Sequence, residues 1–182
     1  MSSGYGTSIL QGGVSFKSGE IETWRVARAL NRQVFNFGFS GNGKMETAVG
    51  QFLAAIPSPA AVIVDCSWNM DGDSIAAAAV PFVRYLRQHN VTAPIWLSEG
   101  LPFGRNWAVP AQAAEQAASN AALRAAFAQL QPTDAALHYM ATEQLFSPAS
   151  LLDSATAAGL HASDAGMHDM AAAWIAALAG LP

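Results

Sequence analysis

His161 stands in TAAGLHASDAGMHDMA, residues 156–171, between Gly159 and a helix start at Ser163, where a hydrolase would place its general base. An imidazole there can take a proton near neutral pH, and its other ring nitrogen needs a partner that fixes the tautomer and steadies the imidazolium. The place to look for that partner, position 158, holds an alanine. A nucleophile to match the base lies in GYGTSILQGG, residues 4–13, where glycines let the backbone turn tightly and leave Ser8 exposed. NFGFSGNGKME, residues 36–46, is a glycine-rich loop between a strand and a helix, and VDCSWNMDG, residues 64–72, is a strand that runs out at Asn69. Taken singly, each stretch also fits plain structure: a tight turn around Ser8, a phosphate-binding or merely tight connection at 36–46, a helix or turn cap at Asn69. The second is not a Walker loop, because no Gly-Lys-Ser/Thr ends it.

In this order the four stretches resemble the blocks of the SGNH hydrolases, also called GDSL esterases and lipases, over residues 5 to about 173. The likeness is strongest to the branch whose blocks read YGTSI, NLGFSGNGKME, a DCxxNM variant and DGxHPxDxGM. It implies Ser8 as nucleophile and His161 as base, with an oxyanion hole built from the backbone N–H groups of Ser8 and Gly41 and the side-chain amide of Asn69. That division of labour is chemically sound: a serine hydroxyl attacks poorly until an imidazole takes its proton, and the tetrahedral intermediate needs donors aimed at its oxyanion. Losing one such donor typically costs about 3 kcal/mol in barrier height.

The chain departs from the pattern where the acid should stand. Ala158 replaces the aspartate three positions before the histidine, and Ala162 replaces the usual proline. In a serine-protease triad, loss of the acid's role costs about 10⁴ in turnover. Three explanations stay open. Asp153 from the same loop, or Asp164, swings in, although Asp164 matches a structural aspartate of the pattern and is placed to cap the last helix. A backbone carbonyl or a water orients His161 in a dyad. Or the enzyme is disabled, and the chain is a binding or interaction domain that keeps the fold.

Apolar runs of strand length at 33–37, 61–66, 93–98 and 135–140 end in turn-forming residues. Helical patterns fill 20–31, 45–56, 73–90, 111–130 and 163–178, the first with Ile21, Trp24, Ala27 and Leu30 on one face, the last with Ser163 as its cap. Strand, crossover helix and strand, repeated, predict a three-layer α/β/α sandwich on a parallel, flavodoxin-like sheet, one domain over 1–182. Sites in such sheets form at the carboxyl ends of strands, here after Phe37, Cys66 and Ser98. A further strand is wanted just before GTSI, yet only MSSG precedes Tyr5, so that strand is very short or the chain has been trimmed upstream.

Composition narrows the partners. A net charge of -4 with only Lys17 and Lys44 as lysines leaves no basic stripe for nucleic acid. The longest apolar runs, 75–83 and 171–178, are too short to span a bilayer. The start lacks the parts of a secretory signal and the lone Cys66 allows no internal disulfide, which fits a cytoplasmic protein or a chain trimmed upstream. No His, Cys and acid trio has metal-ligand spacing; Asp65, Asp71 and Asp73 near Asn69 read as strand and cap residues, and no metal or cofactor is expected. His138 reads as packing within a strand, and His89, His168 and Asp169 as surface residues. Trp68 and Phe39 beside the oxyanion donors, with Phe103, Arg105 and Trp107 from SEGLPFGRNWAVP, would form an aromatic rim suited to sugar faces or short acyl chains, or simply pack beneath a long loop. The expected partner is a small acyl ester, with resemblance to carbohydrate-deacetylating members pointing to acetylated sugars. An acyltransferase would use the same acyl-enzyme, differing only in how it keeps water out.

Overall fold

The structure is a computed structural model that describes residues 2–89, 91–100, 102, 104, 106, 108–147, 155–157 and 159–181. Five parallel strands form its centre: β1 (Ser2–Gly6), β2 (Val34–Gly38), β3 (Ala61–Asp65), β4 (Ile95–Ser98) and β5 (Leu137–Met140), in the order β2-β1-β3-β4-β5. This is the flavodoxin-like order, in which the chain reverses direction across the sheet between β1 and β3. Around it run α1 (Ser8–Gln11), α2 (Glu22–Leu30), α3 (Thr47–Ala54), α4 (Gly72–Gln88), α5 (Pro110–Leu130), α6 (Thr142–Leu145) and α7 (Asp164–Leu178).

Side chains alternate across each strand, and the two faces carry two cores. Val62, Val64, Ile95 and Leu97 pack with Leu53 of α3, Ile75, Phe82 and Leu86 of α4 and Leu123 of α5. Ala61 and Ile63 face the other way, against Ile9 of α1, Val26 of α2 and Met167, Met170 and Trp174 of α7. Each fully buried aliphatic side chain of this kind contributes about 1.5–3 kcal/mol relative to exposure. Cys66 is buried in the first core, as its packing role requires. No helix of the described residues is long and apolar enough to cross a membrane.

The strand wanted just before GTSI is present, and it is of ordinary length. β1 is five residues long, fully buried, and paired along its length with both β2 and β3. Its small residues are what the centre of the sheet requires. A Cβ on Gly4 would lie 3.2 Å from the Leu10 side chain, and one on Gly6 2.5 Å from the Asp65 carbonyl. The face of α2 also differs from expectation. Glu22, Thr23 and Val26 are buried whereas Trp24 is 36% exposed, because the helix begins one residue after Ile21 and packs through positions 22 and 26. A glutamate therefore points into the protein where periodicity had put apolar residues.

Candidate active site

Three turns at the carboxyl ends of β1, β2 and β3 hold one another. Thr7 caps α1, its Oγ1 accepting from Ile9 N at 3.2 Å, and Ser8 follows as the first residue of that helix, half-exposed. At that position its own N–H has no acceptor within the helix. The loop after β2 folds back on this turn: Phe39 N donates to Gly6 O at 2.9 Å, and Ser40 N to Gln11 Oε1 at 3.1 Å. Gly43 has φ +73°, and a side chain there would collide with the Gly6 carbonyl, so only glycine lets the loop approach so closely. Glu46 locks the loop's far end, accepting from Lys44 N at 2.7 Å and from the Tyr5 hydroxyl. Gly41 sits at the tip with φ +70° and open space around it.

Asn69 ends the 3-10 turn Ser67–Asn69 after β3, and its Nδ2 donates to Asn42 O, the carbonyl next to Gly41. One amide hydrogen is spent holding the two loops together; an amide nitrogen carries a second. Asp65 stays within β3 and Asp71 caps α4, accepting from Ser74 N at 2.7 Å, as the sequence suggested. Among the described residues no three His, Cys, Asp or Glu side chains gather as a metal site.

His161 comes from the opposite end of the chain. It lies in β7 (His161–Ala162), paired antiparallel with β6 (Thr156–Ala157), and the hairpin is tied to α7 by Ser163 N donating to Ala155 O at 2.9 Å. Ser163 caps α7, its side chain accepting from Gly166 N at 3.1 Å. This arrangement brings His161 Nε2 to 3.0 Å from Ser8 Oγ. Gly13 lies against the pair: a Cβ there would be 3.0 Å from Ser8 O and 3.7 Å from His161 Cδ2.

No carboxylate among the described residues hydrogen-bonds the imidazole. Asp164 turns instead to the loop that follows α1, its Oδ1 accepting from Phe16 N at 3.0 Å and lying 3.3 Å from Ser15 Oγ. The cap is thus Ser163, and Asp164 straps the loop carrying Gly13 to the helix that follows His161. Ala158 and Asp153 lie outside the described residues, as do Phe103, Arg105 and Trp107 of the expected rim. Of the remaining rim residues, Phe39 is 41% exposed and stacks edge-on against Tyr5, and Trp68 is pressed by the Gly100 backbone. His138 stacks on Trp96 within the sheet, while His89 stacks on Tyr85 and His168 is exposed.

Two buried sets of acids were not foreseen, Glu99 alone and Glu22 paired with Asp65, of which only the place of Asp65 in β3 was expected. Glu99, just after β4, is fully buried and held by Arg124, Tyr139 and Thr142. Glu22 and Asp65 form a second buried pair, on the α2 and α7 side of β1 and β3. Burial pushes the carboxyl groups of both up, and for Glu22 the charge of Asp65 adds to it. The signal missed was positional. Glu99 follows a buried strand directly, and Asp65 ends one.

Residues 4–179 match the profile of the GDSL-like lipase/acylhydrolase family. The chain belongs to the GDSL-like lipase/acylhydrolase family. Among solved structures, a GDSL-like protein from Bacteroides ovatus ATCC 8483 superposes with a TM-score of 0.87 at 27% identity, covering 99% of this chain and 53% of that one. A salicylyl-acyltransferase from a tetracycline biosynthetic pathway superposes with a TM-score of 0.81 at 20% identity, covering 99% and 55%. A two-domain esterase active on acetylated mannans does so with a TM-score of 0.68 at 17% identity, covering 98% and 49%. This GDSL-family chain therefore spans about half the length of each of them. The latter two likenesses bear on the fold alone. A search of curated protein sequences gave no match.

Proposed function

We propose that this GDSL-family protein is a serine esterase acting on small acyl esters, acetyl esters of sugars in particular. The observation that carries the proposal is the 3.0 Å approach of His161 Nε2 to Ser8 Oγ, beside the glycine-rich loop that Asn69 holds in place. His161 takes the hydroxyl proton as Ser8 Oγ attacks the ester carbonyl. The carbonyl π electrons move onto oxygen, and the oxyanion rests on the N–H groups of Ser8 and Gly41 and the Asn69 amide. Collapse of the intermediate breaks the bond to the alkoxy oxygen, which leaves with the proton from His161. Water then attacks the acyl-enzyme by the same route, releasing the acid and restoring Ser8. Membership of an acylhydrolase family supports this chemistry, and the fold shared with an esterase of acetylated mannans supports the sugar ester. The fold shared with an acyltransferase favours, as a second reading, transfer of the same acyl group to an alcohol.

The test is hydrolysis of p-nitrophenyl acetate by the chain, by Ser8→Ala and by Ala158→Asp. Turnover that Ser8→Ala abolishes is the expected result. A rise of orders of magnitude with Ala158→Asp would mean that the dyad lacks only its acid; good turnover that aspartate does not improve would mean that His161 is already oriented. Absence of turnover in all three would overturn the esterase in favour of a binding domain.

A further inference from the structure

The helix that begins with Ser8 meets the strand that leads to Gly41 along a seam of bare backbone. A Cβ on Gly38 would collide with the backbone N of Gln11, so the last residue of α1 rests directly on the end of β2. Such a seam has no interlocking side chains, and hydrogen bonds at its margins must set its register.

Two side chains supply those bonds. Asn36 stands half-buried in the middle of β2, an element that disfavours asparagine. Its Nδ2 donates to Leu10 O at 2.7 Å and to Thr23 Oγ1 at 2.9 Å, and its Oδ1 accepts from Gly38 N at 2.9 Å. Both amide hydrogens and the oxygen are engaged, and only this orientation gives the Leu10 carbonyl a donor and the Gly38 N–H an acceptor. Leu10 belongs to the four-residue α1, whose last carbonyls have no partner within the helix. One amide thus fastens the helix of Ser8 to α2 and to the strand end that runs into residues 39–42. At the outer margin the exposed Gln11 accepts from Ser40 N through Oε1 at 3.1 Å.

These bonds leave one N–H of the loop aimed outward. Phe39 N donates to Gly6 O, Ser40 N to Gln11 and Asn42 N to Phe39 O, whereas Gly41 N alone of the four has no acceptor among the described residues. A glycine at φ +70° with open space around it turns easily. What restrains it is the pair of bonds on either side, at Ser40 and Asn42.

We propose that Asn36 and Gln11 are positioning residues for ester cleavage, fixing the Gly41 N–H relative to Ser8 Oγ without touching the ester. This role rests on the esterase reading of Ser8 and Gly41. An oxyanion contact is made in full only in the transition state, so its misalignment lowers kcat and leaves KM in place. His161 reaches Ser8 from a separate hairpin, so its titration stays as it is.

The test compares the parent chain with Gln11→Met, Gln11→Glu and Asn36→Asp on p-nitrophenyl acetate. Gln11→Met, which removes the acceptor on an exposed side chain, should lower kcat about tenfold with KM within about twofold and the melting temperature within about 2 °C. Gln11→Glu, whose carboxylate accepts the same N–H, should recover most of the loss. Asn36→Asp replaces both amide donors by oxygen and should lower kcat about a hundredfold; where it does not fold, Thr23→Val, which takes away one of the three bonds, replaces it with a several-fold fall expected. The acid limb of the pH profile should keep its midpoint in every variant. Hydrogen exchange gives a readout free of turnover: the Ser40 amide should exchange faster in Gln11→Met than in the parent chain or Gln11→Glu.

Variants as fast as the parent chain, a Gln11→Glu as slow as Gln11→Met, or a shifted acid limb each overturn the positioning role while leaving the esterase in place. A parent chain that does not turn over but takes a fluorophosphonate on Ser8 moves the comparison to labelling rates, with the same ratios expected. A parent chain that neither turns over nor takes the label overturns the esterase reading and the positioning role with it.

Discussion

Two regions bury carboxyl groups under the same edge of the sheet and treat them in opposite ways. On the α5 side, Glu99 is completely enclosed, and four donors reach it. Arg124 Nε and the Tyr139 hydroxyl lie 2.6 Å from Oε1, and Thr142 N and Oγ1 lie 2.9 and 3.0 Å from Oε2. Burial alone would raise its pKa, but these donors outweigh it and hold the carboxyl below its ordinary value. On the α2 side the donors are few: Glu22 Oε2 is buried without one among the described residues, and Asp65 has only the Trp68 indole beside it. There burial wins: it pushes Asp65 up to about 7, only partly opposed by the Trp68 indole, and Glu22 well above the usual range. The same desolvation acts in both places. The supply of donors decides whether the acid becomes a charged tie between elements or a group that keeps its proton.

The largest effect follows from breaking the tie. Glu99 joins the end of β4 to α5, β5 and α6, so Glu99→Ala leaves the Tyr139 hydroxyl and the Thr142 N–H without their acceptor and removes the partner of Arg124. A loss of about 3–5 kcal/mol is expected from urea unfolding. Glu99→Gln, which keeps one acceptor, should lose less. A loss below about 1 kcal/mol for Glu99→Ala would show that the donors find other partners and that the contrast between the two regions is only apparent.

The second effect sharpens the contrast through pH. Asp65 and Glu22 have folded pKa values above their unfolded ones, so their stabilisation is full below the ordinary carboxylate value of 3.8 or 4.5 and is lost as pH rises through the folded value, about 7 for Asp65 and well above the ordinary range for Glu22. Glu99 has the opposite sign, stabilising above 4.5 and losing that contribution as pH falls through its lowered folded value. Asp65→Asn should therefore raise stability at pH 8 by a few kcal/mol and flatten the decline between pH 4 and pH 8. Melting temperatures across that range decide it. A parent chain as stable at pH 8 as at pH 5, with no gain from Asp65→Asn, would mean that the pair finds donors in solution.

Neither region was legible in the sequence, and the reasons are physical. Strand and helix alternation located four strands and five helices within a few residues, because hydrophobic periodicity reports burial directly. The blocks around Ser8, Gly41, Asn69 and His161 stood out only together, through their ordered resemblance to the SGNH hydrolases, since each alone also fits a plain turn or cap. β1 did not stand out, since SSGYG lacks the β-branched residues that usually mark a strand, and its place is set by how closely Leu10 and the Asp65 carbonyl approach its glycines. Glu99 gives no pattern because its donors stand 25, 40 and 43 positions away. Glu22 was not foreseen as buried because Trp24 offered a plausible apolar face that the tertiary packing of α2 leaves exposed.

Asp164 supplies the limiting case, a carboxylate whose partners lie at the surface. Its bonds to Phe16 N and Ser15 are exposed to water, so Asp164→Ala should change stability by less than about 1 kcal/mol. Its effect should appear in turnover instead. The strap holds the loop on which Gly13 backs both Ser8 and the edge of the His161 ring, and loosening it lets the imidazole leave the line of Ser8 Oγ. About a tenfold fall in kcat for p-nitrophenyl acetate is expected, equivalent to roughly 1.4 kcal/mol of barrier. Asp164→Asn, which keeps an acceptor oxygen but no charge, should restore most of it. If the asparagine variant is as slow as the alanine variant, the negative charge acts on the imidazolium itself; if both turn over as fast as the parent chain, His161 is held without the strap.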